Sequence, residues 1–375
     1  MKTALNMISG LSMMASFSAC ALEAPEPQED LASTSQALST NDFGFAWSNQ
    51  LTGTFNPSTS YDANTGGGAI TVQNVSTGRY TVTFAGLGGP SGNAQVVAHG
   101  TDTTRCKVES WFQSGSNELV NVLCHTPAGA LINSKFVVRY GRANAGGGPS
   151  AYLWANQPST ASYTPTSSYS FNSTGGINTI TRAAAGTYTV NLPGLGGFNG
   201  SVMVTAHGSS DTHCNLALWG SSPGNRSIEV RCWSAAGVLA DSTFSLAFDG
   251  AGVTGYHDVG AFAWANDTAS ASYTPSSSYS YNSGAFACDS GSNTAGKLST
   301  GRYFMRHTVV GPLDSTVHVT ARSFPDAADY CKVESWIPAS GGGVEVTTRC
   351  FDATGAAKDS QYAESYYTFQ IQGPC

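Results

Sequence analysis

One cysteine-closed string occurs three times in the chain. It reads TRCKVESWFQSGSNELVNVLCH from Thr104, THCNLALWGSSPGNRSIEVRCW from Thr212 and DYCKVESWIPASGGGVEVTTRCF from Asp329. Each copy is a β-rich run, a turn of Gly, Ser or Pro, and a second β-rich run that ends at a cysteine. In antiparallel pairing, opposed residue numbers keep a constant sum, so each cysteine pair fixes the centre of its own hairpin. The midpoints fall at Gly115, at Pro223 and between Ser340 and Gly341, each inside turn chemistry. The pairs 106/124, 214/232 and 331/350 are therefore predicted to face each other across a hairpin. Their expected Cα separation is about 4.5–5.5 Å, which a disulfide accepts. Closing each loop stabilises its domain by roughly 3 kcal/mol on the chain-entropy model.

Three hairpins imply three copies of the surrounding domain. The phrases FAWSNQ, YLWANQ and FAWAND open the copies, with Trp47, Trp154 and Trp264 at spacings of a domain and not of a solenoid unit. Next come GTFNPSTSYDANTGG, ASYTPTSSYSFNSTGG and ASYTPSSSYSYNSGA, then TGRYTV, AGTYTV and TGRYFM, then NAQVVAHG, SVMVTAHG and TVHVTARS ahead of the hairpin. These pieces are short, alternating or β-branched, and bounded by Gly, Pro, Asn or Ser, with no helical period. Only 11% of residues are charged, against 43 Gly and 16 Tyr; that mixture suits neither helix bundles nor disorder. The expected fold is all-β: three tandem antiparallel β-sandwich domains, Ig-like but not true immunoglobulin, because each disulfide lies within one hairpin. The expected boundaries are 41–148, 149–258 and 259–375, joined at the Gly-rich stretches Arg142–Ser150 and Gly250–Gly260.

Strict alternation sorts the hairpin faces. Val108, Ser110, Val120 and Val122 share the cysteine face of the first copy, as do their counterparts in the others, and form the expected core side. The opposite, solvated face carries Lys107 and Glu109, Lys332 and Glu334, and one tryptophan per copy: Trp111, Trp219 and Trp336. An aromatic on a polar face suits stacking on a sugar or a partner side chain, so these three are the candidate binding residues. The alternative is that each is covered by its own repeat. Trp47, Trp154 and Trp264 share a face with Phe45 or its counterparts and are expected in the core.

The nine cysteines divide into the three hairpin pairs, Cys288 with Cys375, and Cys20 alone. Paired cysteines suit an oxidising compartment. Residues 1–19 read as an export signal, and Phe17-Ser18-Ala19-Cys20 resembles a bacterial lipobox, with Phe17 in place of the usual Leu. The resemblance implies lipidation of Cys20 and a membrane anchor; Ala21 after it resembles an outer-membrane sorting signal. Cleavage at Ala19-Cys20-Ala21 would instead release a soluble secreted protein. Residues 20–40 form an acidic, Pro-containing tether that spans roughly 25 Å. The repeated frame as a whole resembles tandem β-repeats of proteins secreted by soil bacteria, a likeness that implies no activity.

The net charge of −7 without a basic patch excludes a nucleic-acid partner. No C-x2-C spacing or Asp-rich loop calls for a metal, and no cofactor is expected. His99 and His207 precede Asp102 and Asp211, yet the third copy has Arg322 and no nucleophile elbow exists. A strand-end histidine bonded to a turn aspartate accounts for that pair. Glu109 and Glu334 correspond, but Ala217 stands between them in the series, which breaks a carboxylate dyad. No catalytic residue is therefore assigned. The expected function is non-enzymatic: binding or display at the cell surface or outer membrane, toward a glycan or a protein, through three repeated domains. The alternatives are a structural spacer and, third, a glycan-active or hydrolytic enzyme.

Overall fold

A computed structural model of the chain describes residues 42–142, 149–197, 199–222, 224–250, 259–284, 291–311, 313–323 and 327–368. The signal, Cys20, the tether, Cys288, Cys375 and most of both Gly-rich stretches lie outside the described residues.

Each repeat folds as two antiparallel sheets packed face to face. In the first, the inner sheet runs Asp62–Asn64, Asp42–Ser48, Lys135–Arg142, Asn93–His99 across its width. The outer sheet runs Thr54–Phe55, Ile70–Ser76, Arg79–Phe84, Asn117–His125, Arg105–Ser114. Their facing side chains, among them Val72, Val82, Val96, Val120, Val122 and Val138, are fully or nearly fully buried. The expected all-β sandwiches are thus present, and the described residues hold only single-turn 3-10 segments besides strands.

The repeated frame marks structural positions. The turn between Ile70–Ser76 and Arg79–Phe84, and its counterparts in the other repeats, uses Gly78, Gly186 and Gly301 at φ of 68°, 66° and 64°. A Cβ at Gly186 would sit 2.5 Å from the Cys232 carbonyl, so both the left-handed backbone and the space demand glycine. Asn133, Asp241 and Asp359 then accept the amide protons of those three glycines at 2.7–2.9 Å. The tyrosine two residues on (Tyr80, Tyr188, Tyr303) is buried in its sandwich.

The hairpin disulfides form as expected: Cys106–Cys124, Cys214–Cys232 and Cys331–Cys350, each with Cα atoms 4.0 Å apart. The face assignment beyond them is corrected. Val108 opposes Val122, but then Ser110 opposes Asn121 and Trp111 opposes Val120. One extra residue, Glu109, enters the first strand. Ala217 and Glu334 do the same in the other hairpins, where Trp219 opposes Ile228 and Trp336 opposes Val346. A β-bulge of one residue turns every later side chain to the other face. The tryptophans therefore lie on the inner side, and Trp111, Trp219 and Trp336 are only 6%, 4% and 4% exposed.

The sandwiches also join one another. The hairpin edge of the first meets the inner sheet of the second through a parallel bridge, Val108 with His207, and the Gly208 amide donates to the Val108 carbonyl at 3.0 Å. The second meets the third through Leu216 with Arg322. The third meets the first through Val333 with His99, and the Gly100 amide donates to the Val333 carbonyl at 2.9 Å. Three joints in cyclic order close a ring with pseudo-threefold symmetry.

The inner strands Asn93–His99, Gly200–Ala206 and Ser315–Arg322 stand around its axis. Thr205 donates to the Val96 carbonyl at 3.0 Å and the Val204 amide donates to Thr320 at 3.1 Å. Near the far end of these strands each repeat supplies one member of a buried group. Arg139 is 3.2 Å from Asp249, and the Tyr367 hydroxyl donates to the same carboxylate oxygen at 2.5 Å. Satisfied buried charge of this kind restricts which surfaces can meet.

Candidate functional site

Ring closure builds two kinds of site: a lateral notch at each joint and one pocket on the axis. Four separate repeated motifs converge in each notch. The opening phrase supplies a partly buried tryptophan, the segment ending in S-Y a tyrosine at the end of a 3-10 turn, the A-H-G segment of the first two repeats a histidine, and the preceding repeat's hairpin its buried tryptophan. Between the third and first repeats, Trp336 packs against Trp47, Tyr61 and His99 with ring centroids 5.7, 5.2 and 5.5 Å away. Between the first and second, Trp111 meets Trp154, Tyr169 and His207 at 5.8, 5.7 and 5.3 Å. Between the second and third, Trp219 meets Trp264 and Tyr279 at 5.4 and 5.5 Å, and Arg322 replaces the histidine. Its guanidinium lies 4.6 Å above the Trp264 ring, a cation–π contact.

The edge-to-face geometry in all three notches is the arrangement aromatic quadrupoles favour. The expectation that Trp47, Trp154 and Trp264 belong to the core holds only in part, because each stays partly exposed at a joint. The notch between the third and first repeats is open, with a cavity of ≈ 190 Å³ lined by Trp47, Tyr61, His99, Ser335, Trp336 and Ile337. Ile337 is 53% exposed at its rim. Sequence alone did not assign Tyr61, Tyr169 and Tyr279, although their fixed place in the repeated P-x-x-S-Y phrase was the available signal.

The histidines pack into these notches. Burial pushes both His99 and His207 down to about 4. The expected His–Asp bond is absent: Asp102 instead accepts from Lys332 at 2.6 Å and from the Thr104 amide at 2.9 Å. His207 Nδ1 lies 3.0 Å from the Thr243 hydroxyl.

The hairpin face expected to be solvated is covered by the next repeat. Lys107 is 3% exposed and reaches Ser210 and Thr212 of the second repeat at 2.9–3.2 Å. Lys332, at 0% exposure, crosses to Asp102 and Thr104 of the first. Asn215, the counterpart of both, bonds Ser323 Oγ and the carbonyls of Ala327 and Asp329 at 2.8–3.0 Å. Glu109 and Glu334, displaced by their bulges, pair outward with Arg79 and with Arg302 and Arg349.

The residue just before each first hairpin cysteine points to the axis, and here the repeats differ: Arg105, His213 and Tyr330. The Arg105 guanidinium lies 5.5 Å from the Tyr330 ring centroid, and the His213 and Tyr330 rings are 5.8 Å apart. Together with Lys107, Lys332 and His125 they line a cavity of ≈ 50 Å³ walled by the three inner strands. Burial lowers the pKa of Arg105 and Lys332 and pushes Lys107 down to about 7, His125 to about 4 and His213 to about 3. Among the described residues no group of three His, Cys, Asp or Glu could hold a metal ion.

Compared with known proteins, the chain matches no family model, no curated protein and no solved structure. The three hairpin disulfides suit an oxidising, extracytoplasmic setting. No helix among the described residues is long and apolar enough to cross a membrane.

Proposed function

We propose that the protein is exported, held at the outer membrane or cell surface through lipidated Cys20, and works without catalysis by binding a surface glycan in the notch between its third and first repeats. The observation that supports this reading is the open ≈ 190 Å³ cavity whose walls are two tryptophans, a tyrosine and a neutral histidine. Aromatic faces stack on the apolar face of a pyranose ring, while Ser335 and His99 offer polar partners at the edge. The candidate binding residues shift accordingly. Trp111, Trp219 and Trp336 form the floor of the notches, and partly exposed Trp47 and Tyr61 present the accessible rings.

A glycan array with the folded protein tests this, with Ile337→Arg as the control variant. Residue 337 is half exposed at the rim, so the substitution narrows the notch without emptying the joint. Loss of glycan retention in Ile337→Arg is the expected result; retention equal to wild type would overturn the site. The burial of all three hairpin tryptophans favours a second reading, a rigid surface spacer, and an array on which the wild type retains nothing would favour it over binding.

A further inference from the structure

Independently of the lateral notches, we propose that the axial pocket binds a protonated tetrahedral oxoanion, hydrogen phosphate. The three repeats place unlike residues at one symmetric position, where a structural ring would be served by like ones. Arg105 donates from Nη2 to the carbonyls of Pro127 and Asp211 at 3.2 and 3.3 Å. Its Nε and Nη1 are buried and have no hydrogen-bond partner among the described residues. A buried charged donor without an acceptor is costly, so the two N–H groups mark where an acceptor belongs. They lie on different edges of the guanidinium, since Nη2 is the group beside Nε, so each offers a separate charge-assisted hydrogen bond to an oxoanion oxygen and not a bidentate fork.

His213 supplies the complementary half. Its Nε2 lies 3.0 Å from the Ala328 carbonyl, which only accepts, so Nε2 carries the proton of the neutral ring. Nδ1 is then a lone-pair acceptor, and it too is buried without a partner. Arg105 asks for an acceptor and His213 asks for a donor. Carboxylates and sulfate satisfy only the first at neutral pH, whereas hydrogen phosphate carries both.

Size agrees. Lys332 adds a cation to the wall and Lys107, held near 7 by burial, is partly charged at pH 7, while Asp102 and Asp211 stand opposite them. The ≈ 50 Å³ cavity equals about four water-sized occupants at about 10–15 Å³ each, the number of oxygens in a tetrahedral oxoanion.

Titration calorimetry of the intact protein at pH 7, against chloride at matched ionic strength, tests the site with inorganic phosphate, glycerol phosphate and sulfate. Saturable phosphate binding, at least about tenfold tighter than sulfate, is expected. Glycerol phosphate, whose second pKa of about 6 leaves it mostly without a P–O–H at pH 7, is expected to bind no more tightly than sulfate, and binding of it as tight as phosphate would overturn the donor to His213. Arg105→Gln is expected to weaken phosphate binding about tenfold or more with disulfides and glycan retention intact. If that variant does not fold, His213→Phe decides: it removes the acceptor and is expected to abolish the preference for phosphate over sulfate. The site is overturned if wild type shows no saturable phosphate binding, as water filling alone would give. It is equally overturned if phosphate and sulfate bind alike, or if a folded Arg105→Gln binds phosphate as wild type does.

Discussion

Glu109, Ala217 and Glu334 each insert one residue into a strand, and that insertion decides where a tryptophan goes. Alternation read from the cysteines sends Trp111, Trp219 and Trp336 outward, and the bulge sends them inward. Nothing in the residues announces it, since glutamate and alanine occupy the same extra place. The buried histidines were likewise visible as letters but not as neutral rings, because their burial comes from neighbouring repeats. That burial has a consequence in acid. His99, His125 and His207 sit near 4 and His213 and His318 near 3 in the folded chain, against 6.5 when exposed.

Between those values the unfolded chain binds more protons than the folded one, so stability rises with pH across the window. The contribution is fully present above about pH 6.5 and is lost as pH falls toward 3–4. Denaturant midpoints measured at pH 7, 5.5 and 4.5 are expected to fall in that order. A flat profile would mean that the rings are solvated in the folded chain.

At the scale of elements, the sequence was most legible where geometry is local. Cysteine spacing and turn residues located all three disulfides, and the G-x-Y frame marked turns whose glycines carry positive φ. The hairpins, in contrast, were expected to present a polar face, and they act as clasps on the next repeat. Trp219 shows the difference, since it belongs to the second repeat and packs on Trp264 and Tyr279 of the third. Trp219→Ala is expected to cost about 3–5 kcal/mol, as for other buried large-to-small changes. Hydrogen exchange in this variant should accelerate in the strands Cys214 belongs to and also in Val259–Ala265 of the third repeat. Acceleration confined to the second repeat would show that the clasp does not couple the two.

At the scale of the whole molecule, repetition indicates how many sandwiches exist but not how they are arranged. Pairing Val333 with His99, or Lys332 with Asp102, joins segments more than two hundred residues apart, and no local pattern encodes such a contact. Closure nonetheless leaves marks in hindsight. Lys107 and Lys332 are lysines that a free hairpin would not bury, and Arg139, Asp249 and Tyr367 come one from each repeat to form a single buried group. The open notch between the third and first repeats and the axial pocket both exist only because the third repeat returns to the first. A string of separate domains would have neither.

Small-angle X-ray scattering of the chain from Ser39 onward tests that closure most directly. A closed ring of this length behaves as one compact body, with a radius of gyration of about 20 Å by the scaling for folded chains. Three separate sandwiches of about 13 Å each, set in a row, would give about 30 Å and contradict the closed ring.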